Sequence, residues 1–182
     1  MDKKEQFENF VKVLPSKVKQ NLVERGSLMP VVFVFGDSGM GVIGIPDFPN
    51  NEAEKEELAD TIREIATKDN AVGVVMISEG WCANVNKDTD LRRIGSISAR
   101  PDRKEVVFVR EEFKGKPAKM SLYDIVRDIK GKAVDLIFTD SMEDDKEGKS
   151  GGIFTDFLGK PRGIGRKGYS VSGGINTAIS MN

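Results

Sequence analysis

Apolar residues recur at two periods along this chain, and each change of period marks a new element. Phe7, Phe10, Val11 and Leu14 fall at helical spacing. After Pro15 a second short helix is indicated by Ser16 as its cap, Val18, Leu22 and Val23 on one face, and Gly26 as its stop. From Pro30 the run VVFVF is β-branched and aromatic, and it passes through Gly36-Asp37-Ser38-Gly39-Met40-Gly41 into VIGIP, which predicts a hairpin. Asn51 with Glu54 three residues on has the form of a capping box. Leu58, Ile62, Ile65 and Ala66 then share one face of a helix over 51–68.

The run 72–77 is apolar at every position, as in a central strand covered by a helix. EVVFVREEF, AKMSLYDIV across the Lys114–Pro117 turn, and KAVDLIFTD read as consecutive antiparallel strands, and GIFTDFL is a last apolar run. SMEDDKEGKSG between the last two is polar and acidic and reads as a mobile loop. The order of helices, hairpin, helix and four strands predicts an α+β fold. Its sheet is mainly antiparallel or mixed, with N-terminal helices and one central helix packed on one face. Residues 1–160 form the expected single domain; 161–182, rich in Gly and Ser, form the expected flexible tail.

Composition narrows the function. The 182 residues contain no histidine, which removes Ser-His-Asp and Cys-His pairs, HExxH zinc sites and the facial triad of non-haem iron. One cysteine, Cys82, leaves no intrachain disulfide and no structural zinc or iron–sulfur cluster, and it fits a reducing compartment. A net charge of -1 offers no general attraction to nucleic acid. With no signal-like start and no apolar run long enough for a bilayer, the expectation is a cytoplasmic protein without cofactor or metal.

Several motifs match only as strings. Gly39-x-Gly41-x-x-Gly44 fits a dinucleotide fingerprint, but strand residues follow where a helix must start. Gly163, Gly165 and Gly168 repeat the spacing without the context. Gly36-Asp37-Ser38-Gly39 resembles a serine-protease tetrad without its histidine, so Ser38 is a turn residue. Asn84, Asn86, Asp88 and Asp90 alternate like a calcium loop, yet Thr89 and Gly95 stand where Gly and Glu are required. Asp140, Glu143, Asp144, Asp145 and Glu147 read as a solvated acidic run. Arg162, Arg166 and Lys167 with Tyr169 give the tail at most a weak nucleic-acid footprint.

The residues with most chemistry flank two of the predicted core strands: Glu79 and Trp81 after the first, Arg100, Asp102 and Arg103 before the second. As a pocket, Arg100 or Arg103 would grip an anion, Trp81 would stack, and Glu79 or Asp102 would be the catalytic base or acceptor. As a structural latch, the same groups would pair with one another over a strand edge. The latch is the preferred reading.

Ser78-Glu79-x-Trp81, then Arg100-Pro101-Asp102-Arg103-x-Glu105-Val106, and finally Gly152-Ile153-Phe154-x-x-Phe157-Leu158 resemble a set of bacterial and phage-associated proteins of no known activity. The resemblance covers 72–158 and carries over no catalytic residue. The expectation is a non-catalytic protein acting through protein–protein contact or self-association, the latter as a homodimer. The rivals are a ligand-binding protein or His-free enzyme acting on an anionic substrate, and weak nucleic-acid binding by the tail.

Overall fold

The computed structural model describes residues 2–83, 97–144 and 154–160. Its centre is a six-stranded antiparallel sheet, confirming the α+β class. The elements are α1 (Lys3–Arg25), β1 (Val31–Gly36), β2 (Gly39–Gly44), α2 (Glu52–Lys68), β3 (Gly73–Cys82), β4 (Lys104–Phe113), β5 (Lys119–Arg127) and β6 (Ala133–Glu143). Strand order is β2-β1-β3-β4-β5-β6, so β3 to β6 form a meander and the β1–β2 hairpin closes its side.

The two expected N-terminal helices are one. A proline inside a helix costs ~3 kcal/mol, but Phe7, Phe10, Leu14, Val18 and Leu22 make a buried stripe that continues across Pro15. Burying each such side chain stabilises by ~1.5–3 kcal/mol, so the stripe outweighs the break. Ser16 caps nothing; its hydroxyl donates to the Val13 carbonyl at 3.0 Å. Gly26, at φ 82°, closes the helix in the left-handed conformation and donates its N–H to Leu22 O. The N-cap half of the expected capping box forms at α2, with Asn51 Oδ1 accepting from Glu54 N–H at 2.9 Å.

The helices lie on opposite faces of the sheet, where the sequence predicts one face. Strand side chains alternate, so each strand serves both layers. Phe33, Phe35, Val75, Ile77, Val107 and Val109 meet α1 together with Ala133 and Leu136 of β6. Val32, Val34, Val74 and Met76 meet Leu58, Ala59, Ile62 and Ala66 of α2. The apolar-on-both-sides run of β3 is the sequence signature of this arrangement, since a strand covered once would alternate. The last apolar run is also corrected: Phe154–Lys160 is irregular rather than a strand, and Phe157 is fully buried in the α2 layer. The expected acidic loop also starts later: Ser141, Met142 and Glu143 extend β6, and Asp144 is a part-buried ion-pair partner of Arg110. Its residues from Asp145 on, the calcium-like residues from Asn84 to Asp90, and the tail 161–182 lie outside the described residues.

Gly80 marks a close approach on the α2 face. A Cβ there would come within 2.6 Å of Phe108 Cε2, the ring of the neighbouring strand lying across it. Gly80→Ala is expected to tilt that ring and cost ~1 kcal/mol, the low end for overpacking, because half-buried Phe108 can swing outward. A urea midpoint equal to that of the parent chain would show that the ring does not depend on the gap.

Candidate functional site

Glu79 stands apart from the other residues predicted to form one site, which make two pairings joined by an Arg103 hydrogen bond to the Arg100 carbonyl at 3.5 Å. Glu79, on the α1 face of β3, accepts the Leu28 N–H at 2.6 Å, fixing the chain just after α1. Burial pushes its pKa above the ordinary glutamate value, opposed by the Leu28 hydrogen bond and by the nearby Arg127, while Glu105 adds to the rise. Arg127 itself pairs with Glu105 and donates to the carbonyls of Gly26 and Gly131, both at 3.2 Å, so it holds the C-terminal end of α1.

Arg103 does not meet Glu79. Its guanidinium carbon lies 4.6 Å from the centre of the Trp81 ring, and Trp81 is 38% exposed. Arg100 is engaged by Asp102 through two parallel hydrogen bonds of 2.8 Å at the surface. That bond draws the Asp102 carboxyl below its usual range and raises the Arg100 pKa. Cys82 is half-buried, and burial followed by the charge of Asp124 raises its pKa, which keeps it a thiol at neutral pH.

Because the folded state holds the Glu79 proton more tightly than the unfolded chain does, its contribution to stability is present at low pH. It is lost as pH rises from ~4.3 through the raised value. Glu79→Gln keeps an acceptor for Leu28 and is expected to flatten that fall, read from urea midpoints at a series of pH values. An unchanged slope would move the effect to Glu111, which burial raises in the same sense.

A second set of charges was missed from the sequence. Arg63, fully buried in α2, donates to Asp60 Oδ1 at 2.7 Å, to Thr155 O at 2.8 Å and to Asp156 O at 3.2 Å. Glu112 of β4 accepts the Phe157 N–H at 2.7 Å on one oxygen and Arg110 Nε at 2.7 Å on the other. Arg110 reaches on to Asp144 at 2.8 Å. One buried cation thus takes the carbonyls of 155–156 while one buried anion takes the next N–H groups. The signal was available: strand alternation puts Arg110 and Glu112 on the same face as buried Val106, and Arg63 falls four residues after Ala59 and three before Ala66. Their polar atoms serve each other and the backbone, which is the chemistry of a clasp.

No group of three or more acidic or cysteine side chains able to hold a metal occurs among the described residues. Two shallow troughs flank the β4–β5 turn. One, of about 400 Å³, is lined by Phe7, Val11, Phe113 and Glu111; the other, of about 590 Å³, borders Arg110, Glu112 and Asp144. No described helix is long and apolar enough to cross a membrane.

No family model, curated protein or solved structure matches this chain. The reading therefore rests on the molecule's own surfaces, and the two edges of the sheet differ most. β6 is blunted. Asp135 Oδ1 takes the Leu136 N–H at 2.6 Å and Asp140 Oδ1 takes the Ser141 N–H at 2.8 Å. The β5–β6 register also shifts between Leu122 and Tyr123, where Thr139 is skipped and its hydroxyl takes the Asp124 N–H. Acid side chains and bulges are devices that keep an edge from pairing. β2 has neither: GMGVIG carries no charge, three of its six residues lack side chains, and Met40 and Val42 are exposed.

Proposed function

We propose that this chain is a non-catalytic binding module that acts through protein–protein contact, by accepting an extended segment along the open edge of β2. The observation that carries the reading is the contrast between the edges: β6 has two of its N–H groups taken by its own acids, whereas β2 offers an uncharged, glycine-rich backbone. Strand addition supplies main-chain hydrogen bonds, with alternate side chains giving selectivity. The separation of Glu79, Asp102 and Arg103 into different pairings supports contact over catalysis on an anionic substrate.

Titration of the labelled protein with an octapeptide of alternating Val and Thr, followed by amide NMR, tests this. Shifts are expected at Gly39–Gly44. A second reading places the contact on β6, because Val134, Ile137, Phe138 and Met142 are exposed there; shifts confined to Ala133–Glu143 would favour it, and no shift anywhere would remove strand addition.

A further inference from the structure

Resting on the strand-addition reading, we infer that the segment fitting β2 is the β2 strand of a second copy, paired antiparallel about a two-fold axis through Gly41. The pairing would join the two six-stranded sheets into one.

The register follows from the faces of the sheet. A two-fold axis normal to the sheet keeps the α1 face of both copies on the same side, so residues opposite each other must share parity. Met40 and Val42 stand opposite Phe35 and Phe33, on the α1 face, while Gly41 and Ile43 stand opposite Val34 and Val32, on the α2 face. An axis at Gly41 sets Met40 against the partner's Val42 and Val42 against the partner's Met40, so both exposed apolar residues gain a cross-strand neighbour. An axis at Val42 would leave Met40 facing the partner's Gly44. With the axis at Gly41, glycine meets glycine on the other face, where the two backbones approach without side chains between them.

Charge is compatible with self-pairing and gives no advantage to a charged partner strand. The six residues of β2 carry none, and Asp37, at the hairpin turn and already paired with Lys3, falls opposite the partner's Ile45. β6 lacks this property, since its edge carries Asp135, Asp140 and Glu143. With the axis at Gly41, the five residues Gly39–Ile43 face their counterparts, a contact below the ~1,200 Å² lower bound of stable interfaces, so the dimer is weak and forms only at high concentration.

Light scattering on the full chain from micromolar to millimolar concentration is expected to show mass rising from monomer to dimer. Met40→Lys with Val42→Lys places like charges opposite each other and is expected to hold the chain monomeric. Both positions are exposed, and circular dichroism checks that the fold persists. Register is read by cysteine pairing in a Cys82→Ser background. Gly41→Cys is tolerated, its Cβ finding only Val34 O at 3.8 Å, and it should oxidise to a linked dimer across the axis. Val42→Cys should not.

A dimer that survives the lysine pair, or crosslinks at Val42→Cys and not at Gly41→Cys, overturns the inference. A chain that stays monomeric while the Val–Thr octapeptide still shifts the β2 amides overturns the second copy and leaves strand addition standing. A monomer whose β2 amides the octapeptide does not shift removes both.

Discussion

Glu112→Ala is expected to destabilise the fold by ~3–5 kcal/mol, the range for breaking a buried ion pair from one side. The loss should sit near the lower figure. Arg110, 4% exposed, would still hold Asp144, but the Phe157 N–H would be left without its acceptor in a buried site. At ~2–4 °C per kcal/mol for a chain of this size, the thermal midpoint falls by roughly 6–12 °C. Glu112→Gln, which retains an oxygen but loses the charge, should fall between the two. A midpoint shift in the alanine variant corresponding to less than ~1 kcal/mol would mean that the clasp contributes no more than an ordinary surface contact.

The second large effect is Phe157→Ala, with an expected cost of ~3–5 kcal/mol from lost transfer energy plus the cavity left behind. Phe157 is 0% exposed and shares its cluster with Ile62, Val74 and Met76. Residues 154–160 have no strand or helix of their own, so side-chain contacts fix them: the Phe157 ring, Arg63, Glu112, and the packing of Phe154 on Phe48 and of Leu158 on the same cluster. The segment should therefore leave as a unit. Hydrogen exchange is expected to show loss of protection at the Phe157 and Leu158 amides with that of β3 and β4 retained. The double variant Glu112→Ala with Phe157→Ala should cost less than the two single changes together, because a released segment cannot be released twice. Additive costs would show that ring and clasp act independently.

What the sequence made legible was the local part of the fold. The Asn51 cap, the α2 stripe, the β1–β2 hairpin and the meander follow from neighbours a few residues apart. Pro15 misled because its penalty is local, whereas the benefit that overrides it comes from a sheet formed far along the chain. The side of the sheet that each helix covers was hidden for a related reason: a strand apolar on both faces needs two covers but does not say which helix supplies which. At the candidate site, Glu79 did prove to be a fixing point, but its partner is a main-chain N–H of Leu28, and backbone partners leave no trace in residue identity. The buried clasp could have been found by applying strand parity to charged residues as strictly as to apolar ones.

The reach of α1 across the sheet also has a kinetic side. Its stripe packs on β1, β3 and β4 and is completed by Ala133 and Leu136 of β6, so its full docking surface exists only once β6 has been made. At ~5–20 residues per second, synthesis leaves five large apolar side chains of α1 uncovered for on the order of ten seconds. The meander β3 to β6 pairs only sequential neighbours and can form as it emerges. α1 thus precedes every strand it packs against and is among the last elements to be covered.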